Sequence, residues 1–213
     1  MNPLEGHISR ALDGALGALH LHVIAMGSLA VDQIRHATRA YTQWDRATAG
    51  RVIEREQAIN AYDEALDEEQ LVLLALRQPV ASDLKYVIAF SRAVGELERV
   101  GDEAKKIARV VVADDGPPDA AAVQEIGALG SSAELLLRRA LAAFDALDAA
   151  QAVTVIADDE ELDTQYLRAL DGLLARPPPD AAQFRRAVHA AFVMKSLERV
   201  GDHARNLARL LQP

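Results

Sequence analysis

The sequence contains no cysteine, which excludes disulfide bonds, thiolate zinc sites, iron–sulfur clusters and thiol catalysis. A chain without cysteine is compatible with a reducing cytoplasm. Aromatic residues are also scarce, at 4 % of 213 residues, and β-strands favour aromatic and β-branched side chains. Alanine and leucine dominate the sequence instead, and both enter helices at little cost. This composition predicts an all-α protein.

The chain has too little positive charge to favour nucleic acid. Its 23 Lys and Arg residues are outnumbered by 32 Asp and Glu, which gives a formal net charge of -9. Such a charge opposes approach to a phosphate backbone, so we expect no nucleic-acid partner. The segment Met1–Arg10 also lacks the cationic start and apolar run of a secretion signal. We therefore expect a cytoplasmic protein that is at most peripheral to a membrane.

One segment, Gly14–Val31, has no charged residue over 18 positions and approaches the length of a membrane-spanning helix. It contains three glycines, two histidines and a serine, however, and its large apolar residues recur every three to eight positions. This spacing favours an amphipathic helix of a soluble protein over a membrane span.

The sequence repeats itself. The six residues Leu97–Asp102, Leu-Glu-Arg-Val-Gly-Asp, recur as Leu197–Asp202, and earlier parts of the chain align at a similar offset of 103 residues. A stretch rich in Gly, Pro and Asp lies between the two copies. We predict two homologous halves, 1–113 and 119–213, joined by a linker at 114–118.

Each half is predicted to form three helices. Asp45 and Asp148, at equivalent positions, are suited to cap the middle helix of each half. The third helices carry apolar or small residues in steps of three and four, which is typical of an up-and-down bundle. Gly101 and Gly201 interrupt these helices and indicate a close approach by a neighbouring helix or a ligand. The fold class is therefore two tandem three-helix bundles of long antiparallel helices, and the predicted helices are 4–40, 46–76, 82–112, 119–146, 149–175 and 181–211.

Four pairs of oxygen-bearing side chains stand at i, i+4 spacing, so each pair shares one face of a helix. Two pairs lie on the middle helices and two on the third helices, in matching places of the repeat. Carboxylates at this spacing repel each other and need a counter-charge. The candidate residues are Glu56, Asn60, Glu98 and Asp102 in the first half and Asp159, Asp163, Glu198 and Asp202 in the second.

Two interpretations of these carboxylates remain open. They could be solvated side chains balanced by Arg99 and Arg199, or they could bind metal ions. Oxygen ligands favour hard ions such as Mg²⁺, Mn²⁺, Ca²⁺ or ferric iron. His203 follows Asp202 but points about 100° away around the helix, so it is not expected to join them. Motifs for phosphate loops, zinc proteases, serine hydrolases and di-iron oxidases are absent, and we expect no enzyme activity.

The repeated Leu-Glu-Arg-Val-Gly-Asp blocks resemble the PhoU family of bacterial phosphate-signalling accessory proteins. The segments Val52–Glu54, Arg77–Leu84 and His7–Ser9 extend this resemblance over nearly the whole chain. It implies two related three-helix bundles whose acidic motifs bind metal, in some members as multinuclear iron or zinc clusters. Carried onto this sequence, the motif positions are the eight residues named above. Asn60 departs from the acidic form, and its neutral oxygen should bind a cation less tightly.

The resemblance also implies a function and partners. PhoU-like proteins are cytoplasmic negative regulators that couple the ATPase subunit of a phosphate ABC transporter to a sensor histidine kinase, and a homodimer is compatible with the family. Two alternatives remain: a PhoU-like regulator of a different transporter, and a metal-binding bundle with redox or storage activity. The lack of a Glu-x-x-His motif counts against redox activity.

Overall fold

The computed structural model describes residues 10–79, 82–113, 116–117 and 119–212, which form α-helices without any strand. The predicted all-α class is confirmed. The expected helix start at residue 4 and the His7–Ser9 motif lie outside the described residues, as do positions 114, 115 and 118 of the expected linker. The helices are α1 (Arg10–Gln43), α2 (Arg46–Arg77), α3 (Ser82–Ala113), α4 (Ala120–Asp145), α5 (Ala149–Leu174) and α6 (Ala181–Arg209).

The connection between the first and second helices has the same backbone geometry in both halves. Trp44 and Leu147 follow α1 and α4 with left-handed φ angles of 52° and 50°. The next residues, Asp45 and Asp148, each donate a backbone N–H bond of 2.9 Å to the carbonyl five residues earlier. Their carboxylates accept N–H groups from the first turns of α2 and α5, as the sequence predicts. The turn places the end of α1 at Gln43, three residues beyond the predicted end.

The helices pack as two three-helix bundles that lie against each other. Helices α1, α2 and α3 contact one another, as do α4, α5 and α6, while α1 packs on α4 and α3 packs on α6. Helices α2 and α5 are therefore on the outside. A continuous cluster of buried apolar side chains runs through both bundles. The division into two domains at residues 114–118 stays a prediction.

Helix α1 is long and apolar enough to cross a membrane by length and composition alone. In the fold it is a central helix, because it packs on α2, α3 and α4. One face of it is almost completely buried in protein and carries Leu16, Leu19, Val23, Met26 and Ile34, while Leu21 is 66 % exposed. This burial agrees with the amphipathic helix that the sequence predicts.

Gly101 and Gly201 mark the places where the outer helix of each bundle approaches the third helix. A Cβ atom on Gly101 would lie 2.7 Å from Cδ1 of Ile59, and one on Gly201 would lie 2.3 Å from Cδ2 of Leu162. Ile59 and Leu162 occupy equivalent positions of the repeat. The glycines thus allow a neighbouring helix to come close, which is one of the two roles that the sequence indicates.

Candidate functional site

In the first bundle the acidic motif lies between α2 and α3. Glu56 is buried on α2, with 5 % of its surface exposed. Its Oε1 accepts a hydrogen bond of 2.9 Å from Nδ2 of Asn60, and its Oε2 lies 2.7 Å from the ammonium of Lys105 on α3. An internal cation therefore neutralises the most buried carboxylate of this motif.

The other two members of this motif, Glu98 and Asp102, stand one turn apart on α3. Partial burial raises the pKa of Glu98, and the nearby charges of Asp102, Asp63 and Glu56 raise it further, while Arg99 opposes them. The α2–α3 contact thus gathers all the predicted carboxylates of the first half. It adds Asp63, which sequence reasoning missed and whose own pKa is raised by burial and by Asp67 and Glu64.

In the second bundle the motif is bridged by an arginine. Asp159 on α5 is 1 % exposed, and Arg205 on α6 contacts both its carboxylate and that of Asp202. Burial raises the pKa of Asp159, Arg205 works against this rise, and Asp163 and Asp202 add to it. Three of the four predicted residues of this half therefore face one another across the α5–α6 contact.

Glu198, the fourth predicted residue, forms an ion pair with a lysine on its own helix, α6. The ammonium of Lys195 lies 2.6 Å from its Oε1, and the same ammonium stands 5.5 Å above the ring of Tyr166 on α5. The cation–π contact and the ion pair fix Lys195 between the two helices. Burial lowers the pKa of Lys195, but Glu198, together with Tyr166 and Asp202, outweighs this effect and the pKa is raised.

The counter-charges differ from those that the sequence suggested. Arg99 pairs with Glu96 at 2.9 Å, and Arg199 contacts Glu103 at 3.3 Å, so neither forms an ion pair with its neighbouring motif. Besides Lys195 at Glu198, the cations in contact with the motifs are Lys105 and Arg205, and these two cross between helices. Lys105 and Arg205 share a further feature. They stand at equivalent positions of the repeat, three residues after the aspartate of each third-helix motif, and this shared spacing could have identified them.

As arranged, these side chains do not fit a bound metal ion. Within the part of the chain that the structure describes, no group of three or more carboxylates and histidines is placed to hold one. Oδ1 of Asp159 is buried without a hydrogen-bond partner, but a hard ion such as Ca²⁺ needs about six oxygen ligands. The basic side chains of Lys105 and Arg205 supply the positive charge. A metal ion could take their place only after they move away.

A second polar cluster joins the two bundles where α3 packs on α6. Nδ1 of His203 lies 2.8 Å from Oε2 of Glu96, and Asn206 donates to the same oxygen at 3.2 Å. Burial raises the pKa of Glu96, but His203, Asn206 and the nearby Arg99 together lower it below its usual value. His203 thus binds across the bundle interface and stays outside the acidic motif, as its helical position predicts.

Each bundle exposes apolar side chains where its middle helix turns into its third helix. We call these the hairpin patches, because they lie where α2 turns into α3 and where α5 turns into α6. Leu71 and Leu174, at equivalent positions, are 67 % and 72 % exposed. The patches comprise Leu71, Leu84 and Ile88 in the first bundle and Leu174, Phe184 and Val188 in the second, which match pairwise in the repeat.

A model of the PhoU domain matches the chain twice, over residues 23–111 and 126–211. The chain belongs to the PhoU family. A protein of Pseudomonas aeruginosa named phosphate-specific transport system accessory protein PhoU homolog is 37 % identical over 210 residues, covering 98 % of this chain and 86 % of the relative. The phosphate-specific transport system accessory protein PhoU of Escherichia coli K12 is 30 % identical over 208 residues, with the same two shares covered.

Solved PhoU structures share the fold. The crystal structure of PhoU from Pseudomonas aeruginosa superposes with a TM-score of 0.86 at 35 % identity, covering 93 % of this chain and 96 % of that one. The phosphate transport system regulatory protein PhoU from Streptococcus pneumoniae gives 0.83 at 25 % identity, covering 94 % of each chain. The resemblance stated from the sequence is therefore confirmed for the family and the fold.

Proposed function

We propose that this chain is an accessory regulator of a phosphate ABC transporter, without catalytic activity of its own. The observation that carries the proposal is the pair of PhoU matches, one in each half, because they account for both bundles. Relatives that align with nearly the whole chain are named as accessory proteins of phosphate-specific transport. An adaptor acts through the surfaces that it presents to other proteins.

The hairpin patches are the surfaces that we assign to docking. Both are apolar and exposed, one in each bundle at matching positions, and exposed apolar patches are typical of surfaces that contact other proteins. The proposed partners are the ATPase subunit of the transporter and a sensor histidine kinase. In this role the protein works on the cytoplasmic face of the membrane and represses the phosphate-starvation response when phosphate is plentiful.

A pull-down with variants of the second hairpin patch tests the docking assignment. The double variant Leu174→Gln/Phe184→Ser should lose most of its binding to the purified ATPase subunit, because both side chains are largely exposed. The control is Leu135→Gln/Val153→Gln, which replaces two apolar side chains outside the patches that are also more than half exposed. Equal binding of both variants and the wild type would refute docking at this patch.

Deletion of the gene tests the regulatory role. We expect expression of phosphate-starvation genes in phosphate-rich medium, and expression of the wild-type chain should restore repression. If those genes stay silent in the deletion strain, the negative regulator is a different protein. Co-purification of another transporter in place of the phosphate system would favour the alternative of a PhoU-like regulator in a different pathway.

Metal binding at the acidic motifs and a homodimer remain proposals from the family resemblance. The ion pairs of Lys105 and Arg205 mean that an ion such as Mg²⁺, Mn²⁺, iron or Zn²⁺ competes with a side chain of the protein. A redox or storage role would require turnover of bound iron, which anaerobic loading followed by exposure to oxygen would reveal. Light scattering of the purified chain at several concentrations tests the homodimer.

A further inference from the structure

A polar pocket of about 250 Å³ lies between the second half of α1 and the first turns of α2. We call it the arginine pocket, because three guanidinium groups line it. No residue of the acidic motifs or of the hairpin patches lines it. Its lining consists of Gln33, His36, Arg39, Asp45, Thr48, Arg51, Val52 and Arg55.

The three arginines have no carboxylate within ion-pair distance in the described residues. Arg39 donates to the amide oxygen of Gln43 at 3.2 Å, and Arg51 donates to the hydroxyl of Thr48 at 2.6 Å. The carboxylate of Asp45, which also lines the pocket, is engaged by the backbone N–H groups and hydroxyl of the α2 N-terminus. Most of the guanidinium donors therefore remain available to a ligand.

The charge of the pocket matches a dianion. Three guanidiniums against the single carboxylate of Asp45 give the lining a formal charge of +2 when His36 is neutral. The chain as a whole has a formal net charge of -9, so the pocket is a positively charged site on an acidic protein. Guanidinium groups bind tetrahedral oxyanions through paired N–H donors, which makes an arginine cluster better suited to phosphate than a lysine cluster.

Gln33 adds an unused acceptor. It is 1 % exposed, and its amide nitrogen donates to the carbonyl oxygen of Val52 at 2.9 Å. A carbonyl can only accept, so the remaining atom, Oε1, must be an acceptor, and it is buried without a partner. Gln33 lines the same pocket as the three arginines, and an acceptor there suits an oxyanion that still carries a hydroxyl group. Hydrogenphosphate has one, and sulfate has none at neutral pH.

The second bundle shows that the fold does not require this pocket. At the equivalent positions, Leu136 replaces Gln33, Ala142 replaces Arg39, Thr154 replaces Arg51 and Asp158 replaces Arg55. Arg139 stands at the position equivalent to His36, and it forms an ion pair with Asp158 that neutralises its charge. The backbone turn and the capping aspartate are the same in both halves, while the arginine cluster is confined to the first.

We propose that the arginine pocket binds inorganic phosphate as the dianion, with Arg39, Arg51 and Arg55 as donors and Oε1 of Gln33 accepting from its hydroxyl. The proposal stands on the pocket alone and goes beyond the proposed function. Loss of docking at the hairpin patches would not affect it, and loss of phosphate binding would not affect docking.

Calorimetric titration of the full chain with inorganic phosphate at about pH 8 and constant ionic strength tests the proposal. Arg55→Met should weaken binding at least about tenfold, since a hydrogen bond to a charged group contributes about 1.5–3 kcal/mol. The control Arg139→Met removes the same charge from the second bundle and should bind as the wild type does. Circular dichroism checks that both variants keep their helices.

Titrations with two other anions test whether the pocket prefers inorganic phosphate. Sulfate should bind the wild type more weakly than phosphate, and Gln33→Leu should remove this preference. The helix should tolerate the substitution, because leucine is the residue at the equivalent position 136 of the second bundle. Glycerol 3-phosphate should also bind more weakly, because its phosphate dianion has lost the hydroxyl. The absence of saturable phosphate binding, equal affinities of wild type and Arg55→Met, or equal phosphate and sulfate affinities would overturn the proposal. Tighter binding of glycerol 3-phosphate would overturn the assignment to free phosphate.

Discussion

The ammonium of Lys105 lies 2.7 Å from Oε2 of Glu56, so a cation of the chain itself neutralises the acidic motif of the first bundle. Arg205 does the same for Asp159 in the second bundle. Both cations come from the third helix and both buried carboxylates from the outer helix. Each pair therefore links two helices as well as balancing charge, and this dual role leads to the first two predictions.

Lys105→Met should destabilise the protein by about 3 kcal/mol in urea unfolding. The substitution leaves the carboxylate of Glu56 buried without its counter-ion, and removal of one member of a buried pair costs about 3–5 kcal/mol. The second substitution Glu56→Gln should recover most of the loss. Lys85→Met, which removes an exposed lysine elsewhere on α3, is the control and should change stability by less than about 0.5 kcal/mol. A loss no larger than that of the control would contradict the structural role of this pair.

Arg205→Met should increase the affinity for Mn²⁺ at least about tenfold, because the substitution removes the cation that competes with a metal ion at Asp159 and Asp202. The variant should also melt at a lower temperature than the wild type, and Mn²⁺ should restore part of the difference. Arg209→Met, an exposed arginine on the same helix, is the control. Unchanged Mn²⁺ affinity in the Arg205 variant would show that these carboxylates are not a metal site.

The two motifs should differ in metal affinity. Among the eight residues predicted from the sequence, the second half has four carboxylates and the first has three, since Asn60 takes the place of an aspartate. For metal ions that displace Lys105 and Arg205, we therefore expect the second bundle to fill first in a calorimetric titration. Asp163→Asn should bring the two sites closer in affinity, and Asn60→Asp should strengthen the first. Identical titrations of the wild type and both variants would refute this order.

Glu98→Gln should make the protein more stable at neutral pH but not in acid. Burial and the neighbouring Asp102 raise the pKa of Glu98 in the folded state, so the folded protein binds its proton more tightly than the unfolded chain. Glu98 therefore favours folding below its unfolded pKa, about 4.3, and this contribution is lost as the pH rises through the folded pKa. Urea unfolding of both proteins from about pH 3 to pH 7 measures the difference. A difference that stays constant over this range would contradict the raised pKa.

Alanine at Gly201 should destabilise the protein by about 1–3 kcal/mol, because its Cβ would meet Leu162 at 2.3 Å and Oδ1 of Asp159 at 2.9 Å. Gly101→Ala should have a smaller effect, since its nearest contact is at 2.7 Å. Gly95→Ala is the matched control on α3, where a Cβ meets no atom within 4 Å, and should stabilise the helix by up to about 1 kcal/mol. Thermal unfolding of the three variants would place them in this order.

The sequence predicts the helices and the repeat well because both depend on local patterns. The identical segments Leu97–Asp102 and Leu197–Asp202 lie in matching places of α3 and α6. The predicted end of α1 lies three residues before the observed one, because a left-handed turn is usually marked by glycine and here the residue is Trp44. In the second half Leu147 likewise has a left-handed φ angle without being glycine.

The partners of the acidic residues are harder to predict, since they depend on which helix faces which. Arg99 adjoins Glu98 in the sequence, yet it pairs with Glu96, and Lys105 crosses to Glu56 on α2. The arginine pocket is even harder to predict from the sequence. Arg39 belongs to α1 whereas Arg51 and Arg55 belong to α2, so only the packing of the two helices brings their charges together.

The packing of α1 on α4 and of α3 on α6 has a consequence for synthesis on the ribosome. The first bundle emerges while its partner helices are still unmade, and at about 5–20 residues per second the remaining segment takes roughly 5–20 s. During this interval its inner face is open to solvent, and Glu96 has yet to meet His203. The apolar surface of this face therefore stays uncovered during synthesis until the second bundle takes its place.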